Sequence, residues 1–319
     1  MSALTSPVPT SPARTGRASV SAAAPTPDQR PPTGRAILGK SVWALAVVLI
    51  SLTTVMPLVW TLSTSLKPEG EILSSYLQLL PASPTLENYV ALFTDGPFGR
   101  YLTNSAIIAL GGVATNLFFG GLAGYALAKL SFRGRGVVFS LFLGSMMVPG
   151  IITMVPTFLV LRRFPLVGGN DLFGEGGAGF INSYGAVLIP FAAGPFAVFF
   201  MRQFFQALPD ELGDAARIDG ASEFRIFWNI YLPLARAGLA VLGVLTFQAG
   251  WNSFLWPLIA LNDPETLTVQ VGLASYVNEY QTEYGPLLAG TILASLPVLV
   301  VFIVAQRYIV ESFAHSGTK

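Results

Sequence analysis

The chain has 319 residues, 52% of them hydrophobic and only 11% charged, with a formal net charge of +1 and no cysteine. Soluble domains carry about 25% charged residues, so this chain lacks the charge to coat a globule of its size. The missing cysteines exclude disulfides, thiolate metal sites and cysteine nucleophiles.

Residues 1–38 form a Pro/Ala/Ser/Thr/Arg tail. Such a composition buries too little apolar surface to offset the entropy of ordering, which predicts disorder. No apolar h-region lies within it, so it is not read as a signal peptide. Six apolar runs follow, near 41–66, 103–128, 137–161, 183–205, 237–261 and 287–308. Each approaches or exceeds the roughly 20 residues that cross a bilayer as a helix. The alternating segments of about 10 residues that mark a membrane β-barrel are absent. The expected fold is an all-α polytopic membrane protein with six transmembrane helices.

Lys and Arg set the orientation. One set of flanks holds Arg14, Arg17, Arg30, Arg35 and Lys40, then Lys129, Arg133 and Arg135. Arg202, Arg217, Arg225 and Arg236 follow, with Arg307 and Lys319 at the end. The other side holds only Lys67, Arg100, Arg162 and Arg163, with most of the acids, among them Glu69, Glu71, Asp263, Glu265, Glu279 and Glu283. Both termini and the 206–235 loop are therefore expected in the cytoplasm, as is the 309–319 tail. Residues 67–102 and 164–182 are expected outside. The second of these is glycine-rich and reads equally as a pliant partner contact or a flexible linker. Pro57, Pro149, Pro156, Pro190, Pro195, Pro257 and Pro297 fall in or beside the runs, where proline kinks helices and leaves room for a cavity. Membrane helices also tolerate proline for no such reason. Gly120 and Gly124 make the small-residue spacing of close helix packing.

The most informative stretch is polar. Glu211-Leu212-Gly213-Asp214-Ala215-Ala216-Arg217-Ile218-Asp219-Gly220 is followed nine residues later by Ile230-Tyr231-Leu232-Pro233. Asp210, Glu211 and Asp214 suit the start of a helix, whose dipole favours acids there. Gly220 permits a turn with positive φ, and Ser222 can cap a second helix. That helix carries Phe224, Phe227, Trp228 and Tyr231. Too short to span, it must dock its aromatics at a membrane interface or in a partner's groove.

This spacing resembles the EAA loop of bacterial ABC-importer permeases: EAA, three residues, Gly, nine residues, then Ile-x-Leu-Pro. Further segments fit the same family: Ser65–Glu71, Leu86-Glu87-Asn88-Tyr89, Gly124-Tyr125-Ala126-Leu127-Ala128, Met147-Val148-Pro149, Trp251-Asn252-Ser253-Phe254-Leu255-Trp256-Pro257 and Gln306-Arg307-Tyr308. Together they are similar to the MalG-type permease subunits of carbohydrate ABC importers, over roughly residues 40–315. The resemblance implies the type I importer (MetI-like) fold, with a permease domain over 100–308, in a bacterial plasma membrane. It implies four kinds of partner: an ABC ATPase dimer, a second and usually different permease, an extracytoplasmic solute-binding protein and a sugar. No nucleic acid is implied. ATP and Mg would be handled by the ATPase, with no cofactor, metal or catalytic residue in this chain. In that family the loop passes the ATPase's motion to the membrane subunit. The carried-over contact is Asp214, Ala215, Ala216 and Gly220. Glu211, Arg217 and Asp219 would add polar grip, and Ile230, Leu232 and Pro233 would set the exit. Asp214 departs from the family's usual Glu by one methylene.

Trp251, Asn252 and Trp256 suit a sugar pathway, since rings stack on C–H faces and amides bond hydroxyls. Trp as an interface anchor and Asn as interhelical glue explain them more simply. Gly34–Ser41 satisfies the phosphate-loop pattern, but it lacks the strand before and the soluble domain around it that this loop needs. His315 is the only histidine, too little for a zinc site. An ion-coupled transporter would place ionisable groups at mid-membrane, and the interiors of the six runs hold none. An intramembrane enzyme would need a clustered constellation that is also missing.

Overall fold

The computed structural model describes residues 34–74, 78–277 and 282–316, with side chains between Lys40 and Gln306. Residues 1–33 of the expected tail, Glu279, and the side chains of Arg307 and His315 lie outside the described residues. Residues up to Val55 and from Met56 onward form two units. The described part of the first is the opening of α1 (Gly34–Ser65). Its residues 40–55 are exposed. Residues 34–41 are helical, so the phosphate-loop pattern forms no anion-cradling loop.

In the second unit α2 (Glu69–Ser74) and α3 (Glu87–Thr94) follow α1. The Leu86-Glu87-Asn88-Tyr89 motif is an anchor there. Buried Asn88 donates from Nδ2 to the carbonyls of Ser65 and Lys67, both at 2.8 Å, and the Tyr89 hydroxyl meets Ser65 Oγ at 2.7 Å. One long helix then runs as α4 (Phe98–Thr115), a π-helical turn (Asn116–Gly120) and α5 (Gly121–Lys129). Next come α6 (Arg135–Met146), α7 (Gly150–Arg162), α8 (Tyr184–Leu188, extended by a 3₁₀ turn to Phe191) and α9 (Pro195–Gln206). Then follow α10 (Glu211–Ile218), α11 (Glu223–Ile226) with a π turn to Tyr231, and α12 (Leu232–Leu234). The chain closes with α13 (Arg236–Trp251), α14 (Leu255–Ala260), α15 (Val269–Ala274) and α16 (Tyr284–Ser316).

Among the described residues three helices are long and apolar enough to cross a membrane: Lys40–Ser65, Phe98–Lys129 and Tyr284–Gln306. The number rises to as many as six if each bent helix pair is one span. The expected continuous runs at 137–161, 183–205 and 237–261 are all broken. α6 and α7 meet at 106°, where Pro149 disfavours helix in the residue before it. The helix through Phe191 and α9 meet at 41°. α13 stops at Trp251 and a new helix starts at Leu255.

Proline explains how the second of these regions is held. A proline cannot donate to the carbonyl four residues back, and lipid offers no substitute donor. Pro195 therefore leaves Phe191 unserved, and Asn116 Nδ2 donates to that carbonyl at 2.8 Å while its Oδ1 accepts from Gly194 N–H at 3.0 Å. Pro190 leaves Ala186 unserved, and Trp256 Nε1 donates there at 3.1 Å. Close packing also follows from Gly120 and Gly124. A Cβ at these sites would stand 2.8 Å from Ala197 Cβ and 2.7 Å from Met201 Cβ, so only glycine lets α5 approach α9 this closely.

The glycine-rich 164–182 segment is a tight turn network, not a linker. Asn170 Nδ2 donates to the carbonyls of Arg162 and Phe164 at 2.8 and 3.0 Å, and its Oδ1 accepts from Gly177 N–H at 2.8 Å. Asp171 Oδ1 accepts from the N–H groups of Phe173 and Glu175. Backbone atoms crowd Gly168 and Gly179 where a Cβ would go, and both hold positive φ.

Candidate functional site

The 206–235 segment folds as its residues dictate. α10 ends where Gly220 turns left-handed at φ +78, and Ala221 N–H donates to the Ala216 carbonyl at 2.9 Å, the usual glycine stop of a helix. Ser222 Oγ accepts from Arg225 N–H and caps α11. The helical stretch Glu223–Leu234 then meets α13 at 80°, the turn falling at Ala235.

Two side chains of α5 receive this segment. Tyr125 and Lys129 stand four residues apart, hence on one helix face. The Lys129 side chain is only 3% exposed. Its ammonium donates to the Leu208 carbonyl at 2.6 Å, pairs with Asp210 and lies over the Tyr231 ring. The Tyr125 hydroxyl donates to Glu223 Oε2 at 2.8 Å. Arg217 forks, with Nε to Glu223 Oε1 at 2.6 Å and Nη1 to Asp214 Oδ1 at 2.7 Å. The Lys129 ammonium holds Asp210 below the usual carboxylate range, and the Arg217 fork does the same for Glu223. Glu223 in turn raises Arg217, and burial raises the Tyr231 phenol.

The aromatic face expected to dock outward divides in two. Phe227 and Tyr231 are buried with Tyr125 and Phe205 in the chain's own core. The three rings around Tyr125 lie 5.2 to 5.9 Å from it, centroid to centroid. Burial of each such side chain is worth about 1.5–3 kcal/mol. Phe224 and Trp228 stay exposed and stack on each other at 6.1 Å. With Leu212 and with Ile218, which is 87% exposed, they put apolar surface on an otherwise polar loop. Exposed apolar surface of this kind marks an interaction site.

Of the residues singled out by the sequence, Glu211, Asp214, Ala215, Asp219 and Gly220 are exposed on α10 and its turn. Ala216 and Ile230 are half-buried against the Tyr125 cluster. Leu232 also packs there, and Pro233 is exposed in α12. Asp214 and Arg217 are paired with each other, so Arg217 acts first within the chain. Sequence reasoning missed Tyr125, Lys129 and Glu223 as part of this site. Tyr125 and Lys129 were visible only as a resemblance and as a basic flank.

Residues 116–313 match the family described as the binding-protein-dependent transport system inner membrane component. The chain belongs to that family. This transport component is accordingly an inner-membrane protein. It is 36% identical over 282 residues to the arabinooligosaccharides transport system permease protein AraQ of Halalkalibacterium halodurans, covering 87% of this chain and 96% of the relative. It is 34% identical to the diacetylchitobiose uptake system permease protein NgcG of Streptomyces coelicolor, covering 83% and 84%. Among solved structures it resembles a chain of a bacterial ABC transporter involved in the import of the acidic polysaccharide alginate. There the TM-score is 0.75 and identity 26%, over 86% of this chain and 98% of that one.

The second group of expected site residues does not form one patch in this permease. Trp251 and Trp256 are 2% and 7% exposed, with indole N–H groups donated to the carbonyls of Ala294 and Ala186. Asn252 is exposed and accepts from Gln270 Nε2 at 3.4 Å. With Thr291 and Ser295 these amides line a recess of about 340 Å³. A larger, mainly apolar cavity of about 560 Å³ lies between α4, α8 and α13, beside Asn116. Among the described residues no group of His, Asp or Glu could hold a metal ion.

Proposed function

We propose that this chain is one permease of an ATP-driven sugar importer, forming half of the pathway with a second, different permease. It crosses the membrane six times, with both termini, the 206–235 loop and the 309–319 tail in the cytoplasm and the 67–102 and 164–182 segments outside. The permease domain is 100–308. The observation that carries this reading is the 206–235 loop. Its α10–Gly220–α11 unit is fixed to the chain's own core yet presents Ile218, Phe224 and Trp228 outward. An ABC ATPase subunit that seats this unit would supply the energy, hydrolysing ATP with Mg while this chain stays catalytically silent. Asp214, Ala215, Ala216, Asp219 and Gly220 face that subunit, with Glu211 beside them. The sugar class rests on the relatives, which are named for arabinooligosaccharides, diacetylchitobiose and lactose. An extracytoplasmic binding protein delivers the sugar. Of the expected pathway residues, Asn252 retains an amide that reaches the recess and Trp251 holds the carbonyl of Ala294 in its wall, whereas Trp256 packs with Ile108, Ala186 and Val187.

The test is purification of the tagged chain from its native membrane, followed by reconstitution of whatever comes with it. We expect an ATPase and a second permease to co-purify. Vesicles holding that complex should take up oligosaccharide only with ATP on the loop side and a binding protein on the other. Solute movement by this chain alone, without ATP, overturns the reading in favour of an ion-coupled transporter.

A further inference from the structure

The geometry points to Tyr125, Lys129 and Glu223 as positioning residues that latch the 206–235 loop to the inner end of the second span, so that loop and span move as one body. The inference rests on the permease reading above and names what carries the ATPase's motion inward.

Three contacts separated in sequence converge on one turn of α5. Lys129 reaches the Leu208 carbonyl and Asp210 at the loop's entry, and the Tyr231 ring near its exit. Tyr125 holds the loop's middle through Glu223, which passes the connection to Arg217 and Asp214. The Lys129 side chain is only 3% exposed, so its donors depend on the Leu208 carbonyl and Asp210 in place of bulk water. The loop is therefore tied at its start, middle and end to a helix that continues unbroken in direction as far as Phe98. A push on the exposed face of α10 or α11 must move α5 with it. An ordinary surface loop, joined only at its ends, would flex and dissipate the push.

The test uses the complete reconstituted complex and reads sugar taken up per ATP hydrolysed. Co-purification of the ATPase serves as the check on assembly. The chain has no native cysteine, so the double variant Lys129→Cys, Asp210→Cys can be bridged selectively by a short bifunctional thiol reagent on the purified chain, before the other subunits are added back. Unbridged, it should move at least about tenfold fewer sugars per ATP, since the Leu208, Asp210 and Tyr231 contacts of Lys129 are lost together and one charge-assisted hydrogen bond alone carries a factor of that order. Bridged, it should recover. Tyr125→Phe, which deletes one hydroxyl and keeps the ring, should lower the ratio with the ATPase still bound, and decides the matter alone if the double variant does not assemble. A wild-type ratio in Tyr125→Phe or in the unbridged pair, or bridging that restores nothing, overturns the latch. No sugar uptake by the wild-type complex removes the permease reading itself, and the latch with it.

Discussion

Asn116 shows how one side chain can serve a break in a different helix. Its amide meets both groups exposed by the interruption before Pro195: the Phe191 carbonyl and the Gly194 N–H. Asn116→Leu keeps similar volume and leaves both groups without that partner at 7% exposure of the site. Each orphaned group costs about 1–3 kcal/mol, so the thermal midpoint of the purified protein in detergent should fall clearly. An unchanged midpoint would show that water or lipid headgroups serve the break instead. The need for such a donor was legible in the sequence, because Pro190 and Pro195 each leave a known carbonyl unserved. The donors' identities were not, since Asn116 and Trp256 lie 75 and 70 residues from the carbonyls they serve. Trp256, read from sequence as a sugar contact or an anchor, spends its N–H on this repair.

At the scale of elements, α10, the Gly220 turn and α11 were readable because their signals are local. Helix-starting acids, a glycine stop and a serine cap all act within four residues. The broken spans were less readable, because composition reports that a run is apolar and not that its axis turns. The Tyr125–Glu223 and Lys129–Asp210 contacts join residues 98 and 81 apart, beyond any periodicity. The turn itself offers a clean separation of folding from function. Nothing lies within 4 Å of a Cβ placed on Gly220, so only the left-handed backbone resists substitution. Asp tolerates that region better than most residues, and the internal cost of Gly220→Asp is roughly 1–2 kcal/mol at most. The isolated variant should therefore melt close to the wild type, while the proposed seat of the ATPase on this turn predicts that sugar uptake by the complex collapses as the new carboxylate obstructs it. Normal uptake would place the ATPase contact elsewhere.

For the whole molecule, the charge pattern and the structure have to agree on which ends share a side. If α6 with α7, and the 184–206 helices, each count as one crossing, Arg133 and Asp219 lie on one face of the membrane and Asp95 and Glu175 on the other. All four are exposed. Single cysteines at these positions in the otherwise cysteine-free chain report the side directly. In right-side-out vesicles a membrane-impermeant maleimide should label Asp95→Cys and Glu175→Cys at once, and Arg133→Cys and Asp219→Cys only after permeabilisation. The 106° bend between α6 and α7 makes this a real choice, because a re-entrant pair would return to the side it left. Labelling of Arg133→Cys and Glu175→Cys from the same side would make that pair re-entrant and reduce the crossings. The asymmetry of Lys and Arg argues for six. Around this pair alone Arg133 and Arg135 before the bend are matched by Arg162 and Arg163 after it, so the asymmetry is one of the whole chain, where 14 of the 18 basic residues fall on one set of flanks. The positive-inside tendency separates two such flanks with a membrane between them.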